Sequence, residues 1–277
     1  MSYKNYYTLP KSNQEGGIRV HNNQNQNIIL KKPLISVITV TLNSEKYLEE
    51  CILSLYNQKF QNYEHLVIDG GSTDKTLEIV KRYENKIDYW CSCKDLGIYD
   101  GFNKGMMLSS GDYICFLNSD DTFTPNALNI ISSYIKKYPQ KDFIFGSVKK
   151  HWGVLYGYKP YKINWSWGFY SSHSTGFFIK NDSAKKVGLY NLKYKYSSDY
   201  DYFFRMIKKQ KLKGIATKKN EIVGNFRRGG YSSTISFLDH FFEEIKIRID
   251  NGQNKLLVLM IFIYKFVNNL SKIKWMY

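Results

Sequence analysis

The sequence predicts an α/β protein with a doubly wound, mostly parallel sheet flanked by helices. Short apolar runs of strand length alternate along the chain with segments of helical periodicity. The runs are rich in strand-forming residues and too short for helices, which is typical of buried strands. The spacing leaves room for one helix between successive strands, and this favours parallel strands joined by right-handed crossovers.

The individual elements follow from local patterns. Buried strands are predicted at 34–41, 64–68, 87–91, 113–117 and 142–148. Amphipathic helices are predicted at 48–55, 77–83, 125–138 and 237–249. In the first of these helices four apolar residues recur at helical spacing and share one face: Leu48, Cys51, Ile52 and Leu55.

The composition along the chain predicts one domain between two polar or basic ends. Residues 1–32 are rich in Asn, Gln, Lys and Tyr and lack periodicity, so we expect a flexible or loosely docked extension. Residues 33–235 form the domain, in which 33–150 carry the regular alternation and 151–235 begin with an aromatic-rich segment. Residues 236–277 are expected to form a basic amphipathic tail.

Composition also narrows the class of protein. A chain of 277 residues that is 43% hydrophobic can bury a sizeable core, which excludes general disorder. The formal charge of +16 indicates anionic partners: a nucleotide, a nucleic acid or a membrane surface. The N-terminus is polar and the four cysteines show neither zinc spacing nor a disulfide framework, so we expect a cytoplasmic protein.

The ends of the predicted strands are the places to look for a ligand site. No GxGxxG motif follows the first strand and no P-loop motif is present, which argues against dinucleotide and P-loop binding. Asp69 ends the second strand, where it could accept a hydrogen bond from a base N–H or a ribose hydroxyl. Alternatively, Asp69 only caps the GGSTD turn.

The strand at 113–117 delivers two adjacent carboxylates, Asp120 and Asp121. Neighbouring carboxylates repel each other unless a cation or hydrogen bonds offset the repulsion. A hard divalent cation bound through these carboxylates and substrate phosphates would do so, and Mn²⁺ or Mg²⁺ is expected. Alternatively, the pair is a solvated turn that caps the next helix.

Five short motifs occur in a specific order: LISVITVTLN, VIDGGSTDKT, GIYDGFNKG, FLNSDD and SSDYDYFFR. Over roughly residues 33–235 this arrangement resembles the inverting glycosyltransferases of family 2, which have the GT-A fold. It is most similar to bacterial members that extend lipid-linked surface polysaccharides such as O-antigen or capsule. The resemblance implies metal-dependent transfer of a hexosyl or N-acetylhexosaminyl group from a nucleotide diphospho-sugar, expected to be a UDP-sugar, to a saccharide hydroxyl.

The resemblance implies donor-binding roles for several residues. Asp69 would contact the uracil ring, in a pocket that Thr41 and Asn43 also line. Lys104 would contact the diphosphate, although a surface lysine is the ordinary alternative. Asp95 flanks the same GIYDGFNKG loop and is included among the donor-binding residues.

The metal motif departs from the usual pattern of the family. Asn118 stands where many members have an Asp, so it keeps an oxygen ligand and removes one negative charge. Asp120 is the predicted metal ligand and also a donor-site residue, with Asp121 beside it.

On the acceptor side, Asp199 matches the Asp of the E/S-D motif that serves the family as general base. It would take the proton of the acceptor hydroxyl as that hydroxyl attacks the anomeric carbon. Alternatively, Asp199 is a helix N-cap. Further acceptor-site candidates are His173, Trp167 and Arg227, for which a structural histidine, an aromatic core and a solvated basic face are the alternatives.

Residues 256–267 are apolar apart from Lys265 and are too few to cross a membrane. With four lysines and no acidic residue in 255–277, this segment indicates an interfacial helix on anionic lipid, or a docking helix. We therefore expect peripheral contact with the cytoplasmic face of the inner membrane, where a lipid-linked acceptor is presented.

Two other functions fit parts of the pattern. A metal-dependent nucleotidyl- or phosphotransferase on a similar sheet would release pyrophosphate or transfer phosphate. A nucleic-acid-binding protein would suit the charge of +16, but the chain has no recognisable nucleic-acid module, so we expect no nucleic-acid partner.

Overall fold

The computed structural model describes residues 14–23, 32, 34–165, 174–228 and 236–269. The strands in these ranges are β1 (Gln14–Gly16), β2 (Ile35–Thr41), β3 (Tyr63–Asp69), β4 (Tyr89–Ser92), β5 (Tyr113–Phe116), β6 (Thr122–Phe123), β7 (Phe143–Phe145), β8 (Ser147–Lys150), β9 (Gly153–Leu155), β10 (Phe177–Lys180), β11 (Gly214–Ala216) and β12 (Ile222–Asn225). The helices are α1 (Ile18–Asn23), α2 (Leu48–Tyr56), α3 (Thr76–Arg82), α4 (Ile98–Leu108), α5 (Ala127–Lys137), α6 (Asn181–Val187), α7 (Ser198–Phe204), α8 (Phe237–Asp250) and α9 (Lys255–Asn268).

The main sheet has the strand order β1-β4-β3-β2-β5-β10-β7-β11. Its centre is parallel, since β2 pairs in parallel with both β3 and β5, and β3 pairs in parallel with β4. Strand β10 runs antiparallel to β5 and β7, which makes the sheet mostly but not wholly parallel. The chain proceeds from β2 to one side and then crosses to β5 on the other side. The carboxyl ends of β2 and β5 therefore form a topological switch point.

Helices cover both faces of this sheet, as the predicted doubly wound architecture requires. Ile35 and Val37 of β2 pack with α2 and α5, whereas Ile38 and Val40 pack with α4. Every residue of β2 is buried, which explains the uninterrupted apolar run in the sequence. The first four predicted strands are confirmed to within two residues, and the four cysteines are buried free thiols.

The strand predicted at 142–148 is wrong as a single element. The chain leaves the main sheet after β7 and enters a second sheet, of order β6-β12-β8-β9, with β8. Gly146 lies at this crossing, where a Cβ atom would stand 2.3 Å from Cγ2 of Val223. The absence of a side chain at Gly146 allows the close approach of β12. An apolar run does not by itself reveal such a change of sheet.

The segment GIYDGFNKG is also corrected by the structure, because it forms most of helix α4 and not a loop. Two glycines one turn apart lie against β2. A Cβ atom at Gly105 would stand 2.3 Å from Cγ2 of Ile38, and one at Gly101 would stand 3.0 Å from Cγ1 of Val40. Glycine disfavours a helix by about 1 kcal/mol relative to alanine, which is why local composition suggested a loop. Close packing on β2 requires glycine at these positions.

Part of the N-terminal extension is docked on the sheet. Strand β1 pairs antiparallel with β4, and Arg19 of α1 forms an ion pair with buried Glu64. Nη1 of Arg19 also donates to the carbonyl of Leu108 at 3.0 Å. The polar composition of 1–32 did not predict these contacts, which tie residues 14–23 to the domain.

The C-terminal helices are amphipathic, as predicted, and pack as a hairpin. The rings of Phe241 in α8 and Phe262 in α9 lie 5.2 Å apart between their centroids. Helix α8 also packs on α7. Within the described part of the chain, no helix has both the length and the apolar character that crossing a membrane demands.

Candidate active site

A cavity of about 780 Å³ opens at the carboxyl ends of β2 and β5. This is the switch point of the sheet, where ligands bind in open α/β folds. The loop after β2, the loop after β5, α4, the start of α7 and α8 all contribute to its walls. Six residues predicted from the sequence line this one cavity: Thr41, Asn43, Asp95, Asp120, Asp199 and Arg227.

Two neighbouring loops are locked together at the end of β2. Asn43 has a left-handed backbone conformation (φ 48°), which asparagine tolerates better than most residues. Its Oδ1 accepts a hydrogen bond from the backbone N–H of Thr73 at 2.9 Å, and its own N–H donates to Oγ of Ser72 at 2.8 Å. These bonds hold a strained residue on the cavity wall, a placement common at functional sites.

Two buried oxygen atoms stand out at the switch point. Oγ1 of Thr41 and Oδ1 of Asn118 have no hydrogen-bond partner among the described residues. Leaving such a group unpaired costs about 1–3 kcal/mol, so each needs an explanation. Both residues line the cavity, at the ends of adjacent strands. The two atoms therefore mark where a ligand, a cation or water would supply the missing partner.

The two adjacent aspartates have different roles. Asp121 is buried, and its carboxylate accepts hydrogen bonds from Oγ1 of Thr175 at 2.7 Å and from the backbone N–H of Arg227 at 3.1 Å. Asp120 is half-buried and lines the cavity. The pair does not cap the next helix, since β6 follows it and α5 begins only at Ala127. Asp121 ties the loop to the chain after β12, and Asp120 faces the ligand site.

The residues present fit a divalent cation that is bound mainly through oxygen. In the part of the chain that the structure describes, no group of three or more His, Cys, Asp or Glu residues could hold a metal ion. The unpaired Oδ1 of Asn118 and the carboxylate of Asp120 are nevertheless the ligands that Mg²⁺ and Mn²⁺ prefer. Such a cation keeps several positions for water and substrate phosphates, so few protein ligands suffice.

Asp69 lies behind the cavity wall and not on it. Its buried carboxylate accepts hydrogen bonds from the backbone N–H groups of Gly71 and Ser72, both at 3.0 Å, and from Oγ of Ser92 at 2.6 Å. These are the bonds expected from a residue that caps the turn. The contacts match the alternative interpretation, in which Asp69 caps the GGSTD turn.

Lys104 is also withdrawn from the cavity. Its Nζ lies 3.2 Å from Oδ2 of Asp100 and 3.3 Å from the carbonyl of Lys94. Burial would lower the pKa of Lys104, but the Asp100 carboxylate outweighs it and raises the pKa. Lys104 therefore supports the loop at 94–97, which carries Asp95.

Asp95 itself lines the cavity from that loop. Its Oδ1 accepts a hydrogen bond from the backbone N–H of Gly97 at 3.0 Å. Burial raises the pKa of the Asp95 carboxyl, and the nearby charges of Asp100 and Asp69 raise it further. The structure is thus consistent with Asp95 as a donor-site residue, although its protonation is easier than that of an isolated aspartate.

Asp199 lies at the start of α7 and lines the same cavity. The N-cap is Ser197, two residues earlier, so the alternative that Asp199 is the N-cap is wrong. Tyr99 of α4 lies beside Asp199, and its hydroxyl donates to the carbonyl of Tyr196 at 3.1 Å. Burial and the Asp199 carboxylate raise the pKa of Tyr99 well above its ordinary value. The phenol is thus neutral at physiological pH.

Arg227 connects the carboxylate loop to α2. Its Nε donates to the carbonyl of Asp120 at 3.1 Å, and its guanidinium lies 4.3 Å from the ring centroid of Tyr47. Glu50 forms an ion pair with the same guanidinium. The other two acceptor-site candidates, Trp167 and His173, lie outside the described residues.

Sequence reasoning missed several residues of the cavity. Tyr99 could have been found only by placing GIYDGFNKG on a helix whose other face packs on β2. Residues from three further segments also line the cavity without a motif that would have marked them: Tyr47, Lys195, Tyr196 and His240.

Comparison with known proteins identifies the family. The profile described as Glycosyl transferase family 2 matches residues 36–216. A PGL/p-HBAD biosynthesis glycosyltransferase of Mycobacterium bovis (strain BCG / Pasteur 1173P2) is 27% identical over 215 residues, which cover 73% of this chain and 80% of the relative. An uncharacterized glycosyltransferase of Methanocaldococcus jannaschii is 30% identical over 192 residues, which cover 64% of this chain and 66% of the relative.

Solved structures share the fold. Crystalline S. aureus TarS 1–349 in complex with UDP-GlcNAc gives a TM-score of 0.62 at 19% identity, over 86% of this chain and 72% of that chain. A longer TarS structure is covered over only 43% of its length. Mannosyltransferase PcManGT from Pyrobaculum calidifontis, in complex with GDP-Man and Mn²⁺, gives a TM-score of 0.61 at 14% identity, over 87% of this chain and 71% of that chain. The chain belongs to glycosyl transferase family 2 and is a glycosyltransferase with a GT-A-type fold.

Proposed function

We propose that this glycosyltransferase moves a sugar from a nucleotide diphospho-sugar to a hydroxyl of a saccharide acceptor, with inversion at the anomeric carbon. One observation carries the proposal: a single cavity joins the carboxyl ends of β2 and β5 to Asp199 on α7. The first region offers polar groups to a nucleotide and a diphosphate, and the second offers a carboxylate base. UDP-GlcNAc and GDP-Man in the two neighbouring structures support the donor class. A UDP-sugar is the donor we propose.

On the donor side, Asn118 and Asp120 would hold Mn²⁺ or Mg²⁺. A bound cation supplies a Lewis acid that neutralises charge on the departing diphosphate. Mn²⁺ in the PcManGT complex supports this cofactor class. Arg227 and Arg228 line the same cavity and bring positive charge to an anionic donor.

On the acceptor side, Asp199 would take the proton of the attacking hydroxyl as the new glycosidic bond forms. The bond between the anomeric carbon and the diphosphate oxygen breaks in the same displacement, and its electron pair leaves with the nucleotide. The neutral phenol of Tyr99 beside Asp199 adds no competing charge to this wall. A single displacement of this kind inverts the anomeric centre.

We also propose that the acceptor is lipid-linked and that the enzyme acts in bacterial surface polysaccharide biosynthesis. The argument for this comes from the outer face of α9. Six apolar side chains at helical spacing are 50–67% exposed: Leu256, Leu259, Met260, Ile263, Tyr264 and Val267. Helix α9 contains no acidic residue, Lys255 at its start is exposed, and so is Lys246 on the adjacent helix α8. An apolar stripe with basic neighbours matches an anionic lipid surface. We infer that α9 rests on the cytoplasmic face of the inner membrane, close to the acceptor.

The double substitution Leu259→Asp/Ile263→Asp is expected to abolish this contact. Two charges would have to enter the apolar part of the interface, so co-flotation with vesicles of phosphatidylglycerol and phosphatidylcholine should fall at least tenfold. Trp152→Asp, which changes an exposed aromatic residue elsewhere, is the matched control and should float like the parent protein. Concentration-dependent dimers that the double substitution dissolves would instead assign the stripe to a second copy of the chain.

The proposed donor class is tested by a thermal-shift screen of UDP, GDP, CDP and ADP and their sugars, each with Mn²⁺, with Mg²⁺ and with chelator. A ligand at 100 times its Kd stabilises the folded state by about 2.7 kcal/mol, which corresponds to a shift of several degrees in Tm. We expect the largest shift with a UDP-sugar and metal, and release of UDP with sugar transfer. Release of pyrophosphate would favour a nucleotidyltransferase, and the absence of any shift would contradict a nucleotide site.

A further inference from the structure

Helix α8 lies outside the segment that matches the family, yet it binds the loop that precedes the proposed base. The carboxylate of Glu243 accepts hydrogen bonds from three consecutive backbone N–H groups, those of Lys195 at 2.6 Å, Tyr196 at 2.7 Å and Ser197 at 2.6 Å. Hydrogen bonds to an ionised acceptor are among the strong ones in proteins. A single side chain of α8 thus sets the path of the backbone directly before Asp199.

A second residue of α8 reaches the same loop. Nδ1 of His240 lies 3.1 Å from Oγ of Ser197, and the rings of His240 and Tyr196 lie 6.2 Å apart between their centroids. His240 and Tyr196 both line the cavity, on the same side as Asp199. The hydrogen bond to Ser197 fixes the orientation of the imidazole at the cavity wall.

Contacts at the C-terminal end of α8 reach α7 and the loop before it. Asp250 accepts hydrogen bonds from Nζ of Lys193 and from the hydroxyl of Tyr194, both at 2.7 Å. Nδ2 of Asn251 donates to Oδ1 of Asp201 at 2.7 Å. The loop before Asp199, and Asp201 after it, are therefore held by α8 and by Asn251 at its end.

We propose that α8 forms part of the acceptor subsite, with Glu243 as the positioning residue for Asp199 and with His240 contacting a hydroxyl of the saccharide acceptor. The proposal rests on the proposed function, because it takes Asp199 as the base. Glu243 acts through the backbone, since its carboxylate is engaged by the loop. His240 acts directly, through the face of the imidazole that lines the cavity.

The role of Glu243 is tested with Glu243→Gln, Glu243→Asp and, as a matched control, Glu78→Gln on the exposed face of α3. The amide presents one oxygen and adds donors that face the loop N–H groups. Hydrogen exchange of the backbone at 195–197 should therefore rise at least tenfold in Glu243→Gln and less in Glu243→Asp, with no change in the control. The thermal shift given by the best nucleotide sugar should be unchanged, because Glu243 bonds to residues 195–197, none of which is assigned to the donor.

Kinetic measurements distinguish a positioning role of Glu243 from a general effect on the stability of the protein. With the best nucleotide sugar of the screen as donor and with p-nitrophenyl glycosides and water as acceptors, Glu243→Gln should lower kcat at least tenfold and leave the donor KM unchanged. Glu243→Asp should restore part of the rate. Unchanged exchange at 195–197, or a loss of donor binding equal to the loss of rate, would overturn the positioning role.

His240→Ala should raise the KM for a glycoside acceptor about tenfold and change the rate with water as acceptor by a much smaller factor. Equal effects on both acceptors, or no effect on either, would overturn the acceptor contact. A failure of the proposed function has a different signature: Asp199→Asn would retain turnover, whatever the behaviour of the α8 variants.

Discussion

Asp199→Asn is expected to reduce the rate of sugar transfer by a factor of about 10²–10⁴, the usual contribution of a general base. The amide cannot take the proton of the acceptor hydroxyl, while its shape and its place at the start of α7 are preserved. The donor end of the cavity, at the carboxyl ends of β2 and β5, is untouched. The thermal shift given by the nucleotide sugar should therefore match that of the parent protein. Initial rates of UDP release and of glycoside formation measure the effect.

Asp182→Asn is the matched control for this substitution. Asp182 is an exposed aspartate in the first turn of another helix, α6, so it undergoes the same chemical change outside the cavity. Its rate should stay within a factor of two of the parent rate. Near-normal transfer by Asp199→Asn, with intact donor binding, would remove Asp199 from the mechanism. Loss of donor binding would show instead that the variant disturbs the whole cavity.

Asp120→Ala is expected to remove the metal-dependent part of nucleotide binding and to lower turnover about 10³-fold, since metal catalysis contributes several kcal/mol. Asp120 is the carboxylate that faces the cavity, next to the unpaired Oδ1 of Asn118. The check is the difference in Tm with the nucleotide sugar between Mn²⁺ and chelator. That difference should vanish in the variant, whereas the Tm without ligand should change little.

Two neighbouring variants sharpen this test. Asn118→Asp restores a negative charge beside Asp120 and should lower the Mn²⁺ concentration needed for half-maximal activity. Asp121→Asn should instead lower the Tm without ligand, because Asp121 is buried and accepts hydrogen bonds from Thr175 and Arg227. If Asp121→Asn removed the metal effect and Asp120→Ala did not, the assignment of the two carboxylates would be reversed.

Local sequence patterns were sufficient to predict most of the architecture. The apolar runs that became β2, β3, β4 and β5 are buried on both faces, so hydrophobicity alone marks them. The ends of the predicted strands were the expected place for a ligand site, and the structure places the polar residues after β2 and β5 in one cavity. The order of the five motifs indicated the family, and the family match over residues 36–216 confirms it.

Local sequence patterns gave wrong predictions where tertiary packing outweighed the intrinsic conformational preferences of the residues. The two glycines of α4 weaken a helix in isolation, yet they are needed where α4 lies on Ile38 and Val40. Gly146 similarly interrupts what reads as one strand, because β12 must pass close to the chain there. In both cases the decisive contact is with a residue far away in the sequence.

The sequence by itself determined the fold class, the family and the region that holds the site. Only the tertiary structure decided that Asp69 and Lys104 support loops behind the cavity wall, and that Asp120, not Asp121, faces the cavity. It also brought His240 and Glu243 of the tail to the loop before Asp199. The physical reason is that strand and helix periodicity are properties of neighbouring residues. The direction and partners of a polar side chain depend on segments that meet only when the chain is packed.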